Sequence, residues 1–170
     1  MAAGTSYEEL DGAQRPRVER LCHLLLADAH EAQDVAQEVL MKLYRAQQER
    51  RAAMAWDRWV TRVTVNACRD RRRSAWWRRL RDAGVPLHED QLTAPGVGPE
   101  DALLAAETRG RIWAAFRRLS RRQQEVFALR HVEGFSTAEV AETLDVSTGS
   151  AKRHLFRAVQ RLRAALEVSP

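Results

Sequence analysis

Several things are scarce in this 170-residue chain, and each scarcity excludes something. Its two cysteines, Cys22 and Cys68, and five histidines, His23, His30, His88, His131 and His154, fall at no metal-ligand spacing. There is no glycine-rich phosphate loop, no nucleophile elbow, and no carboxylate pair that a fold argument places across a cleft. Catalysis is therefore not expected, and neither is a metal or cofactor. The cysteines lie far apart in sequence, each within a helical apolar pattern, and read as buried free thiols suited to a reducing compartment. No apolar run approaches the roughly 20 residues that span a bilayer, and no signal-peptide core opens the chain. The expectation is a cytoplasmic protein with no direct membrane insertion. Strand-like alternation of useful length is missing as well, which predicts an all-α fold. Lysine occurs only at positions 42 and 152, so nearly all of the 28 basic residues are arginine, the side chain that makes forked contacts to phosphate and guanine.

What is present is unevenly distributed. The formal net charge of +5 conceals nine acids against five bases in residues 1–49, eleven bases against two acids in 50–81, and twelve of each in 82–170. An acidic block beside a strongly basic one implies two partner surfaces, the basic one for a polyanion.

Val18, Leu21, Cys22, Leu25 and Ala29, then Ala32, Val35, Ala36, Val39, Leu40 and Leu43, follow helical spacing and predict two amphipathic helices joined near Ala27 to Glu31. The second presents Asp34, Gln37, Glu38, Met41 and Arg45 outward. After the polar stretch Gln47 to Ala55, a third pattern places Trp56, Trp59, Val60, Val63 and Ala67 inward, with Trp59 read as core. Arg58, Arg62, Asn66, Arg69 and Arg73 stack along the other side. This helix runs into "RDRRRSAWWRRLR", where Trp76 and Trp77 sit among arginines, a mixture suited to stacking unpaired bases along a phosphate backbone. Asp82 to Asp101 concentrates proline and glycine and reads as a flexible linker. The organisation expected is thus two small helical domains, 1–81 and 101–170, joined by a linker over 82–100.

In the C-terminal part, a helix from about Glu100 to Leu119 holds Leu103, Leu104, Ile112, Trp113, Phe116 and Leu119, with Trp113 read as core. Ser120 with Gln123 and Ser136 with Glu139 fit the capping box, so helices are predicted to begin near Arg121 and Thr137. Gly134 supplies a stop to the first. Asp145 and Val146 lead to Ser147 as N-cap of a last helix. That helix carries an apolar stripe, Ala151, Leu155, Val159, Leu162 and Leu166. Beside it stand Lys152, Arg153, His154, Arg157, Arg161 and Arg163, with no acid between Val146 and Leu166. Helix, short turn and longer basic helix form a helix-turn-helix pattern, whose second helix reads base edges in the major groove. Ser150, Lys152, Arg153, Phe156 and Arg157 are the candidate readers. A helical hairpin with a merely solvated basic face fits the spacing too, although such a helix gains by mixing both signs at i, i+4.

"DVAQEVLMKLYRA" (Asp34 to Ala46), "WVTRVTVNACRDRRR" (Trp59 to Arg73) and "LSRRQQEVFALRHVEGFSTAEVAETLDVSTGSAKRHLFRAVQRLRAAL" (Leu119 to Leu166), taken together and in this order, resemble a bacterial RNA polymerase sigma factor of the extracytoplasmic-function (ECF) subgroup. The resemblance runs from about Tyr7 to Leu166. It implies a protein that binds core RNA polymerase, recognises promoter DNA and promotes initiation without catalysing a reaction. It implies that Asp34, Gln37, Glu38, Met41 and Arg45 dock on the β′ clamp helices and that the C-terminal domain meets the β flap. The Gln47–Ala55 loop with Arg58, Arg62, Asn66, Arg69, Arg72 and Arg73 would hold the minus-ten element as single strand, and Ser150, Lys152, Arg153, Phe156 and Arg157 would read the minus-thirty-five duplex. An anti-sigma factor, in some cases membrane-held, is a further implied partner. Two features depart from the family: Asp145 stands where glycine is common, and "QQERRAAMA" lacks the glycine or aromatic residues common in that loop. Besides the sigma factor, a free-standing helix-turn-helix regulator is the competing reading. The acidic helix followed by an arginine-rich one separates the two, because a simple repressor needs neither.

Overall fold

The structure, a computed structural model, describes residues 7–49, 55–81 and 99–167, with side chains at 7–49, 55–75 and 107–167. All elements described are helical, and the chain divides into two compact units, Met1–Asp90 and Gln91–Pro170. The centre of the Gln47–Ala55 stretch, most of the linker, and the side chains of Trp76, Trp77, Leu103 and Leu104 lie outside the described residues.

Three helices form the first unit: α1 (Tyr7–Leu25), α2 (Ala29–Gln48) and α3 (Trp56–Arg81), each packed on the other two. Asp28 starts α2 by accepting the Glu31 amide at 2.8 Å, which satisfies one orphan donor of the first turn. All six apolar positions assigned to α2 are buried, together with Ala46. From α1 come Leu10, Val18, Leu21, Cys22 and Leu25, and from α3 Val60, Val65, Ala67 and Cys68. Thr61 and Thr64 are buried in this core without cost in lost hydrogen bonds, because their hydroxyls donate to the Asp57 and Val60 carbonyls one turn back, at 2.7 and 2.8 Å. Trp59 is only half-buried, edge-on to Trp56 at 5.7 Å, and so stands at the rim of the core rather than inside it.

The first helix is longer than its apolar spacing suggests. It runs through Pro16, whose missing amide and bulky ring disturb the bond to the Gly12 carbonyl. Both residues are exposed, so water can take that carbonyl, while Leu10 and Gln14 before the proline and Val18 after it keep the helix seated on the core. Gln14 is buried and donates to Asp57 at 2.6 Å, and Arg17 pairs with the same carboxylate at 3.1 Å, pinning α1 to the start of α3.

The second unit contains α4 (Pro99–Arg117), α5 (Arg121–Phe127) running into a π turn at Ala128–Val132, α6 (Thr137–Leu144) and α7 (Thr148–Glu167). Both capping boxes form: the Ser120 and Ser136 hydroxyls accept the Gln123 and Glu139 amides, and those side chains accept the serine amides in return. The π turn is closed by the Glu133 amide on the Ala128 carbonyl and the Phe135 amide on the Leu129 carbonyl, with Gly134 at φ 74° permitting the reversal. Asp145 takes the left-handed conformation, φ 54°, and the Val146 amide reaches back to the Ala141 carbonyl at 3.0 Å. Aspartate thus fills the left-handed position of this turn, which glycine would otherwise suit. Ser147 then caps α7 by accepting the Ser150 amide at 3.1 Å.

Helices α4, α5 and α6 all pack on α7. The line that α7 buries is Ala151, Ala158 and Leu162, rather than the full stripe expected from spacing. Leu155 and Val159 are half-buried and Leu166 is exposed. The residues three and four apart that graze the neighbouring helices form a wider stripe than those that enter the core, and Ala158 is small enough for close approach. Trp113 is likewise half-buried, stacked on buried Phe116 at 5.7 Å, with the Arg117 guanidinium 4.1 Å from the Trp113 ring centre.

Candidate nucleic-acid and polymerase interfaces

Three exposed faces result. On α2, burial of Val35, Ala36, Val39, Leu40 and Leu43 turns Asp34, Gln37, Glu38, Met41 and Arg45 to solvent. Met41 is 51% exposed, a substantial apolar surface among polar neighbours. Tyr44, which sequence reasoning passed over, extends the same stripe: it is exposed and edge-on to Tyr7 at 4.9 Å. Its signal was its place seven residues after Gln37 on the outward face.

The acids of this face are tied to another helix. Arg71 on α3 donates to Glu38 at 2.7 Å and lies 3.8 Å from Asp34, its own side chain largely covered. Sequence spacing gave no sign of this bridge, because it joins residues more than thirty positions apart.

Along α3, Arg58, Arg62, Asn66 and Arg73 are exposed and Arg69 is half-exposed, so the stacked row exists on one side of the helix. Arg73 stands 3.9 Å from Asp70 in a well-exposed pair. Arg72 departs from the row. It is half-buried and donates to the Leu25 carbonyl at the end of α1, a helix C-terminus that favours a cation.

Beneath these surfaces the two cysteines meet. Cys22 and Cys68, far apart in sequence, place their sulfurs 3.9 Å apart as free thiols in the core. Their mutual hydrogen bond, and then burial, push the Cys22 thiol well above its ordinary range, so it is not a reactive thiolate. Among the described residues no group of three or more histidines, cysteines and acids gathers to hold a metal.

On α7, Lys152, Arg153, Phe156 and Arg157 are exposed and Ser150 is half-exposed, all on the side away from Ala151, Ala158 and Leu162. Phe156 is 65% exposed, which no core role explains. Two members of the basic segment differ from the rest. Arg161 turns back and donates to the side-chain Oε1 of Gln123 at 3.3 Å, joining α7 to the start of α5. His154 is half-buried, its Nδ1 enclosed without a hydrogen-bond partner; burial, then Arg122, Arg157 and Arg153, lower its pKa and favour the neutral ring. His154 therefore adds no charge to this face at neutral pH. The Arg122 guanidinium meanwhile pairs with buried Glu125 at 3.2 Å. An exposed helix N-terminal half rich in forked cations, lacking acids and carrying one apolar ring has the chemistry for phosphates, guanine edges and thymine methyls.

Residues 12–78 match the model of the family described as Sigma-70 region 2, and residues 109–162 that of Sigma-70, region 4. The RNA polymerase sigma-E factor of Streptomyces antibioticus is 32% identical over 161 residues, covering 95% of this chain and 84% of that one. The ECF RNA polymerase sigma factor SigW of Bacillus subtilis is 26% identical over 166 residues, covering 95% and 89%. Among solved structures, the sigma factor RpoE of Bartonella quintana, crystallised with the anti-sigma factor NepR, shares the fold with a TM-score of 0.80 at 21% identity, over 96% of this chain and 98% of that one. The acidic α2 face, the arginine row of α3 and the basic helix α7 thus fall within two regions of one family, in order, and the chain belongs to the ECF RNA polymerase sigma factors, which recognise promoters and initiate transcription.

Proposed function

We propose that the work of promoter recognition is divided among the three exposed faces. Asp34, Gln37, Glu38, Met41 and Arg45 on α2 dock on core RNA polymerase at the β′ clamp helices. Arg58, Arg62, Asn66, Arg69 and Arg73 on α3 hold the minus-ten element as single strand, together with the Gln47–Ala55 loop. Ser150, Lys152, Arg153, Phe156 and Arg157 on α7 read the minus-thirty-five duplex, in a domain that also meets the β flap. Arg72, bound to the end of α1, supports the first unit and reaches DNA only if it leaves the Leu25 carbonyl.

Melting follows from the physics of such a surface. A row of cations offsets phosphate repulsion, and unpaired bases expose faces and edges that a protein can trap, offsetting the cost of unstacking. The factor supplies binding energy and orientation; catalysis stays with polymerase, and no cofactor is needed. Its proposed place of action is the cytoplasm, where polymerase and promoter DNA are. None of the described helices is long and apolar enough to cross a membrane. A regulatory partner is an anti-sigma factor, whether soluble or membrane-held. The sigma factor RpoE, which shares this fold, has been crystallised with the anti-sigma factor NepR, which supports that partner.

The observation that carries this reading is the segregation of charge: an acid-bearing docking face on α2 and an acid-free cationic face on α7, in separate compact units. Segregation makes the functions separable by mutation. Lys152→Ala with Arg157→Ala is expected to weaken binding to promoter duplex and leave affinity for core polymerase intact. Glu38→Lys is expected to do the reverse. Both assays run on the same purified proteins. Loss of both activities in either variant overturns the division.

A further inference from the structure

Helix α2 could present Asp34 and Glu38 by itself, since i, i+4 spacing puts them on one edge. The fold adds a third group. Arg71 comes from α3, and its side chain is 21% exposed, whereas Asp34 and Glu38 are 71% and 55% exposed. A largely covered guanidinium therefore stands behind two solvent-facing carboxylates. It donates to Glu38 Oε1 at 2.7 Å and lies 3.8 Å from Asp34 Oδ2.

We infer that Arg71 is a positioning residue for polymerase docking, fixing the side chains of Asp34 and Glu38 in the orientation the partner meets. This rests on the reading of α2 as the docking face. An exposed glutamate on an isolated helix samples many rotamers, and holding it in one on binding costs affinity. A guanidinium is suited to reduce that cost: it is planar, always charged, and offers a fixed fork of donors that can engage two carboxylates at once. Because Arg71 is mostly covered and the acids are not, the bridge leaves carboxylate oxygen free for a partner. It also lowers the repulsion between two like charges one turn apart, which otherwise drives them away from a common orientation. The neighbouring arginines on α3 have other places: Arg72 is bound at the end of α1, and Arg73 lies beside Asp70. Arg71 thus links the basic helix to the acidic one and belongs functionally to the acidic face.

The test is a double-mutant cycle in the full chain, with affinity for core polymerase as the readout. Arg71→Ala is expected to weaken core binding by about three- to tenfold, the cost of ordering one or two side chains left loose. Arg71→Lys, which keeps the charge and loses the fork, should recover part of that loss. In the Glu38→Gln background, Arg71→Ala should cost distinctly less than in the wild type, since the residue it orients has lost its charge. A merely structural role predicts equal losses in both backgrounds, and that equality overturns the inference. Unchanged or tighter core binding by Arg71→Ala overturns it too, the tighter case marking Arg71 as a competitor for the acids. If Glu38→Gln alone leaves core affinity unchanged, the docking face itself is wrong and the inference falls with it. Should Arg71→Ala unfold the first unit, Arg71→Gln, which retains length and a donor, takes its place in the same cycle.

Discussion

Arg157 and Arg161 are one helical turn apart on α7, yet their partners differ. Arg161 is bonded to Gln123, whereas Arg157 is exposed beside Arg153 and Phe156. For Arg157→Ala, the slope of log affinity against log salt for promoter duplex should become shallower by about one, the signature of a lost phosphate contact. Arg161→Ala should leave that slope unchanged and lower stability by about 0.5–1 kcal/mol, the net worth of one side-chain hydrogen bond. Salt titrations by fluorescence anisotropy and urea unfolding separate the two. His154 has a different consequence. Its pKa in the fold is lowered by burial and by Arg122 on α5 and Arg157 and Arg153 on its own helix. The unfolded chain, with an ordinary histidine pKa of about 6.5, therefore binds the proton more readily. The contribution to stability is complete above pH ~6.5 and is lost as pH falls from there towards the lower folded-state value. Thermal unfolding from pH 7.5 down to pH 5.5 should show a smaller decline for His154→Gln than for the wild type, and identical declines would remove His154 as the cause.

At the scale of the element, the helix-turn-helix depends on local devices with local signals. Ser136 caps α6 reciprocally with Glu139, so Ser136→Ala should cost about 1 kcal/mol in denaturant unfolding of the domain. Asp145 holds φ 54°, so Asp145→Gly should be neutral or stabilising. Asp145→Val should cost about 1–2 kcal/mol, because a branched side chain fits the left-handed conformation poorly. These features were legible in the sequence because a cap, a left-handed turn residue and an apolar period involve residues within a turn or two of one another. What was not legible is tertiary. The apolar spacing marks α1 only from Val18 on, but the helix starts earlier and continues through Pro16 because the buried residues on either side outweigh one lost bond at the surface. The meeting of Cys22 with Cys68 and the bridge from Arg71 to Glu38 depend on how α1 and α2 pack on α3, which no spacing specifies. The π turn at Ala128–Val132 leaves no mark in the apolar pattern, since Val126 and Leu129 keep helical spacing through it. On α7, spacing found the right side of the helix and overestimated the depth at which Leu155, Val159 and Leu166 are buried.

Across the whole molecule, charge is segregated by face. A polymerase surface and a DNA backbone make opposite demands, and on the proposed division this chain of 170 residues meets them with acids on the outer face of α2 and cations on α3 and α7. Neither compact unit alone carries all three faces, so each should contribute affinity without starting transcription. Joining them gains from effective concentration, since the second element is bound by a unit already held nearby. The most direct test is run-off transcription with purified core polymerase and a library of promoter duplexes, with and without this protein. The expected result is protein-dependent starts from templates sharing two spaced elements, lost with Glu38→Lys and reduced with Arg157→Ala. Binding to duplex DNA without joining core polymerase, and with no new transcripts anywhere in the library, would contradict the account.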